Sequence, residues 1–214
     1  MSQGPGLRER KKLQTRQLIA EAARRLFAER GFAAVTVADV ARAADVSEAT
    51  VFNYFPTKED LFYSGLEAFE EELLASIRER ERGESLMAAF GRFVLEPRGL
   101  LAAEDPETVE RLAAIARVIE ESPALLAREQ RIFAGYTDSL AALLAEETHA
   151  DPGDVSPWVA ANALMGVHRA LVAHTRRAIL AGARNPQLAR RVRTQARRAL
   201  ALLERGLGDY ATRD

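Results

Sequence analysis

Between residues 36 and 58 the chain collects hydrogen-bonding side chains whose types suit recognition of a surface more than bond-making. Thr36, Ser47, Thr50, Asn53, Tyr54 and Lys58 offer hydroxyls, an amide, a phenol and an ammonium, with Ala49 among them. An amide pairs with the adenine edge in a DNA major groove, and a threonine or alanine methyl meets the thymine methyl. Backbone amides at a helix start make a seat for phosphate, and Lys58 adds a positive charge there. Thr36 and Ser47 also read simply as helix caps, a use that needs no ligand. Glu48 would set a carboxylate against phosphate repulsion and stays outside the candidate set.

A second set lies further along: Phe90, Phe93, Arg117, Phe133, Tyr136, Trp158, Asn162, Met165 and His168. Apolar groups with a few convergent polar ones line small-molecule pockets. Any single Phe or Met here serves an ordinary core equally well. Arg117, Asn162 and His168 sit in mostly apolar segments, where a polar group needs a partner. Asn162, Met165 and His168 fall near one face of a helix, and His168 also reads as a core histidine with a satisfied hydrogen bond. Reaction chemistry is absent from the pattern. The chain has no cysteine, and its three histidines, His149, His168 and His174, do not make an ordinary zinc site unaided. There is no nucleophile elbow, glycine-rich phosphate loop or metal-ligand spacing. Glu70, Glu71 and Glu72 form a run on a surface, not a pair in a cleft. No enzyme, cofactor or metal is expected.

The elements that must position these residues read as helices from end to end, with no convincing period-2 stretch. A first helix spans about Leu13 to Arg30, with Leu18, Ile19, Ala22, Ala23, Leu26 and Phe27 as its stripe and Gly31 as its stop. Thr36 with Asp39 forms a variant capping box for a second helix, whose Val37, Val40, Ala41 and Ala44 face inward. A turn at Asp45-Val46 leads to a very short third helix, Ser47 to about Tyr54, closed by Pro56. Val51, Phe52 and Phe55 pack inward, leaving Glu48, Ala49, Thr50, Asn53 and Tyr54 outside. Thr57 with Asp60 caps a fourth helix with the stripe Phe62, Leu66, Phe69, Leu73 and Ile77. About five more helices follow, broken at Gly83, Pro97-Arg98-Gly99, Ser122-Pro123, Asp151-Pro152-Gly153 and Asn185-Pro186, with Ser156-Pro157 as a further start. Two short helices braced by a long one make a helix-turn-helix, whose second short helix enters the major groove. The fold class is therefore all-α, with a three-helix unit over 1–60 and a larger helical domain over 61–214.

Charge is distributed unevenly behind a net of −1. Residues 1–30 carry +5, residues 63–150 carry −9 and residues 151–214 carry +6. DNA responds to the local field of the face it meets, so overall acidity is no obstacle. Arg8, Arg10, Lys11, Lys12 and Arg16 read either as a solvated tail or as an arm along DNA. Arg190, Arg191, Arg193, Arg197 and Arg198 read as a solvated face or as partners for the acidic middle segment. No apolar run approaches the roughly 18 residues of a membrane span. The first residues do not resemble a signal peptide, which points to the cytoplasm.

The segment from about Leu18 to Leu61 closely resembles the tetracycline-repressor (TetR) family. The resemblance lies in Ile19-Ala20-Glu21-Ala22-Ala23, the run Leu26 to Phe32, Thr36-Val37, Val40-Ala41, Ala44, Val46-Ser47, Thr50-Val51-Phe52, Tyr54-Phe55 and Lys58-Glu59-Asp60-Leu61. It departs from the family at Ala49, usually glycine, and at Phe52, usually tyrosine, where one possible hydrogen bond to DNA is lost. The resemblance implies a homodimer on a palindromic, double-stranded operator, bound to the nucleoid while it acts, and a small-molecule effector held in the C-terminal domain. It usually implies repression, released by the effector. It also implies a four-helix dimer interface from the last two helices, about Ser156 to Gly182 and Pro186 to Leu207. Ala160, Ala161, Ala163, Leu164, Val167, Leu171 and Val172 supply its expected surface. In a DNA-competent dimer the two reading helices would stand about 34–36 Å apart. An architectural DNA binder or a protein-partner module fits less well, because the C-terminal two-thirds is rich in core-forming residues.

Overall fold

The structure is a computed structural model that describes residues 6–96, 106–183 and 187–207. Its described residues are helices and turns, and they divide into two compact units, 1–66 and 67–214. The expected breaks at Pro97-Arg98-Gly99 and Asn185-Pro186 lie outside the described residues.

The first unit holds α1 (Leu7–Arg30), α2 (Val37–Ala43), α3 (Glu48–Tyr54) and α4 (Lys58–Phe62). Helix α1 begins six residues before the expected Leu13, so Arg8, Arg10, Lys11 and Lys12 are helical and exposed, not an extended tail. Ile19, Ala22, Ala23, Leu26 and Phe27 are buried as expected, but Leu18 is exposed. Helices of seven or five residues are too short to hold on propensity alone. Caps and packing hold them. Val40, Val51, Phe55 and Leu61 are essentially fully buried, with Ile19 and Ala23 of α1 in the same core. Phe27, Phe32, Phe62 and Tyr63 form a chain of tilted and edge-on ring contacts, with centroids 5.2–5.9 Å apart. These aromatics and Leu61 carry the first unit beyond residue 60, where the sequence placed its end, to Leu66.

The expected fourth helix is broken. Its first turns end at Phe62, and α5 (Leu66–Arg78) starts after a bend at Gly65, whose φ of 116° is open to glycine and strained for other residues. The hydrophobic stripe runs unbroken through this point, which is why periodicity alone joined the two pieces.

The second unit continues from α5 with α6 (Leu86–Leu95), α7 (Pro106–Glu120), α8 (Pro123–Thr148), α9 (Ser156–Leu180) and α10 (Gln187–Leu207). Helix α9 is central, packed against α7, α8 and α10. Helices α6 and α10 approach closely at Gly91, where an added Cβ would meet Leu200 at 3.4 Å. Ser122 caps α8 with Pro123 in its first turn, as read from sequence. For α9 the cap is not Ser156. The Asp154 carboxylate accepts from the Ser156 amide at 2.8 Å, and hydrogen bonding from Ser156, its side chain first and its amide second, holds the Asp154 pKa below its ordinary value. Buried Arg80 donates to the Ile77 carbonyl and pairs with Glu147 of α8, both at 2.7 Å.

Candidate nucleic-acid interface and effector cavity

The turn between α2 and α3 is made by Asp45, which takes a left-handed φ of 54°, a conformation Asp tolerates better than most residues. The Val46 amide then donates to the Ala41 carbonyl at 3.0 Å, closing the turn. Each short helix starts on a built cap. Thr36 accepts from the Asp39 amide at 3.1 Å, while its own amide and hydroxyl donate to the Asp39 carboxylate at 3.0 and 2.6 Å. Those bonds, the hydroxyl's first, hold the Asp39 carboxyl below the usual range. Ser47 accepts from the Thr50 amide at 3.1 Å and shares a hydroxyl–hydroxyl bond of 2.8 Å with it. Thr57 and Asp60 repeat the reciprocal box at the start of α4.

Helix α3 turns Val51 into the core and leaves Glu48, Ala49, Phe52 and Asn53 exposed, with Thr50 and Tyr54 half-buried. Phe52 is the correction. The sequence reading packed it beside Val51 and Phe55, yet it is 47% exposed. Val51 and Phe55 stand four residues apart on one side, and Phe52 lies about 100° around the helix from Val51 and about 60° from Phe55, at the edge of that side, where apolar character alone does not decide burial.

Lys58 is turned into the fold. Its ammonium donates to the carbonyls of Phe32 and Val35 at 2.9 and 3.1 Å and stands 4.2 Å over the Phe32 ring. This ties down the connection between α1 and α2. Arg16 lies over the Phe55 ring at 4.7 Å, so one of the basic residues of α1 has a structural contact too.

The second unit holds a cavity of about 290 Å³ that is partly open to solvent. Aliphatic side chains of α6, α7, α9 and α10 make most of its wall, joined by Phe69 and Phe93. His168 stands at its aromatic part, 4.5 Å from the Phe69 ring and edge-on to Phe133 at 5.4 Å, with Tyr136 5.5 Å from Phe69. Burial, and then the charge of Arg169, push the His168 pKa down to about 4, so the imidazole is neutral near pH 7. Arg176 also lines the wall and is ion-paired to Glu129 of α8, both side chains being largely buried.

Of the residues expected in a pocket, Phe93 and His168 line the cavity, and Phe133 and Tyr136 are buried beside His168. Phe90 and Met165 are fully buried and not among its lining. Arg117 is exposed, so its expected partner is water. Asn162 donates to the Trp158 carbonyl of its own helix at 2.9 Å, and Trp158 is 57% exposed, outside the cavity. The sequence reading missed Thr175, Arg176 and Arg193. Thr175 follows His168 by seven residues on one helix face, which was a findable signal.

The expected dimer surface is also corrected. Ala160, Ala161, Leu164, Val167 and Leu171 are buried within the chain's own core, and Val172 lines the cavity. The face α9 leaves open instead carries Val155, Trp158, Val159, Ala170 and Ala173, with half-buried Ala163 and Gly166. Arg190, Arg191, Arg197 and Arg198 are exposed and have no ion pair among the described residues, as a solvated face would have. Also among the described residues, no cluster of His, Cys, Asp or Glu could hold a metal ion, and no helix is long and apolar enough to cross a membrane.

Comparison with known proteins matches residues 19–64 to the family model for bacterial regulatory proteins of the tetR family. Residues 84–208 match the model for the MftR C-terminal domain. The chain is 31% identical over 153 residues to the HTH-type transcriptional regulator TcmR of Streptomyces glaucescens, covering 71% of this chain and 68% of that protein. It is 26% identical over 165 residues to the protein of Mycobacterium tuberculosis H37Rv named mycofactocin biosynthesis transcriptional regulator MftR, covering 74% and 78%. A solved structure of a TetR-family regulator from Mesorhizobium loti shares the fold at 19% identity and a TM-score of 0.50, over 89% of this chain and 97% of that one.

Proposed function

The chain belongs to the TetR family of bacterial regulatory proteins, and from that premise we propose that it is an effector-released repressor acting as a homodimer on a palindromic operator. It is a DNA-binding transcriptional regulator and not an enzyme. The observation that carries the reading is the outer face of α3. Ala49, Phe52 and Asn53 project from a helix pinned by Ser47 at its start and by Val51 and Phe55 beneath. Asn53 suits an adenine edge, and Phe52 and Ala49 suit thymine methyls. Tyr54 and the Thr50 hydroxyl stand at the margins of the same face. Thr36 and Ser47 seat phosphates through the amide ends they cap. Lys58 has two of its three N–H groups on backbone carbonyls, which leaves one for a phosphate.

The cavity between α6, α7, α9 and α10 is the effector site in this reading, and a second copy of the chain covers the open face of α9. The protein works in the cytoplasm, on the nucleoid while operator-bound. Selection of random duplexes by the purified chain, with sequencing of the bound pool at a stated salt concentration, tests the proposal. Enrichment of a palindrome is the expected result. A folded, dimeric sample that enriches no sequence would refute the operator reading.

A further inference from the structure

The cavity carries more chemical information than its apolar wall. His168 and Thr175 both line it and stand seven residues apart on α9, so they share a face about 10 Å apart along the helix axis. His168 touches the rings of Phe69 and Phe133 but, among the described residues, has no hydrogen-bond partner. Its neutral ring presents one N–H donor and one bare nitrogen acceptor. Thr175 is 9% exposed. Thr15, Thr137, Thr148 and Thr194 each donate to the carbonyl four residues earlier, at 2.8–3.0 Å. Thr175 makes no such bond to Leu171 and has no other partner among the described residues. Buried polar groups are nearly always satisfied, and leaving one unmatched is costly. His168, half-buried, and Thr175 both line the cavity without a hydrogen-bond partner among the described residues, so each is available to a polar group on an occupant.

The charges around the cavity cancel. Arg176 is neutralised by Glu129, and Arg193 and Glu96, which also line the wall, carry opposite formal charges, so the wall's formal charge sums to zero. We propose that the cavity takes an uncharged, mostly apolar molecule with two hydrogen-bonding groups about 10 Å apart, one meeting His168 and the other Thr175. This rests on the reading of the cavity as the effector site.

The test is calorimetric titration of the full chain with 1,8-octanediol, 1-octanol and octanoate. In Thr175→Val the affinity of the diol relative to octanol is expected to fall about fivefold, the worth of one hydrogen bond. His168→Phe is expected to lower the same ratio similarly, and Thr175→Ser, which keeps the hydroxyl, to preserve it. A ratio unchanged in both Thr175→Val and His168→Phe overturns the inference. So does octanoate binding tighter than the diol and losing that advantage in Arg193→Gln. That result would assign an anionic ligand and leave the effector-site reading standing. Failure of all three probes to bind would remove the inference and the effector site together.

Discussion

Replacing His168 by phenylalanine is expected to flatten one segment of the chain's stability profile against pH. The imidazole titrates near 6.5 in an unfolded chain and at about 4 in this fold, because burial among Phe69 and Phe133 and the nearby Arg169 charge disfavour its protonated form. Above pH 6.5 both states are neutral at this position and the residue adds no pH dependence. Between 6.5 and 4 the unfolded chain binds a proton that the folded chain refuses, so stability falls as pH falls through that window. The two pKa values translate to about 2 kcal/mol lost between pH 7 and pH 5, approaching about 3 kcal/mol at the acid end. Urea unfolding of wild type and His168→Phe at pH 7, 6 and 5 isolates this contribution, since the carboxylates titrate alike in both. The stability difference between the two proteins is expected to move by about 2 kcal/mol in favour of the variant at pH 5. Parallel profiles would refute the placement of a neutral, desolvated histidine in the cavity wall.

Asn53→Ala and Phe52→Ala are each expected to weaken specific operator binding by about 1–3 kcal/mol, measured by titration at fixed salt, with little change in non-specific binding. Lys58→Met removes two charged hydrogen bonds and a ring contact, and is expected to destabilise the chain by about 2 kcal/mol in urea unfolding. A salt slope of DNA binding reduced by about one in the same variant would mark its remaining N–H as a phosphate contact. Gly65→Ala places a side chain in open space but at a φ of 116°. It is expected to cost about 1–2 kcal/mol of stability, and an unchanged urea midpoint would count against the bend. Ala170→Glu puts a charge on the open face of α9, and sedimentation is expected to show monomers where wild type gives dimers.

The sequence was most legible where local rules decide the structure. Thr36 with Asp39, Thr57 with Asp60, and Ser122 before Pro123 are caps whose spacing is visible without any tertiary contact, and all three are built as read. It was least legible where a helix has two partly apolar faces. Phe52 was drawn inward by its hydrophobicity, because helical spacing puts it only about 60° from Phe55, though about 100° from Val51, at the edge of the buried side. On α9 the stripe Ala160, Ala161, Leu164, Val167 and Leu171 was taken for a surface because it is small and aliphatic. It is the helix's inner face, and the outer one is small too, so composition could not tell them apart. The break at Gly65 escaped for a related reason, because one glycine reverses φ without interrupting the apolar pattern. The cavity was legible at Phe93 and His168 but not at Thr175 and Arg176, since which polar group on an amphipathic helix meets a void depends on neighbours distant in sequence.

That distinction bears on how an effector would be recognised. Aliphatic walls reward any apolar molecule at roughly 0.8 kcal/mol for each buried methylene, whatever its identity. They supply affinity but little discrimination. A polar group left without its match is penalised far more steeply, so selectivity in such a cavity concentrates on the few groups that need partners, here His168 and Thr175. Any occupant stabilises the fold by mass action, about 2.7 kcal/mol at a hundred times its Kd. A thermal shift therefore identifies binders, not effectors. A molecule that binds the operator-competent and operator-released conformers equally changes nothing on DNA, however tightly it binds. The effector is the binder whose affinity falls when operator is present, by the same factor by which it lowers operator affinity. Titrating each candidate with and without operator measures that factor from both sides, and unequal factors would mean that the two binding events are not linked through one equilibrium.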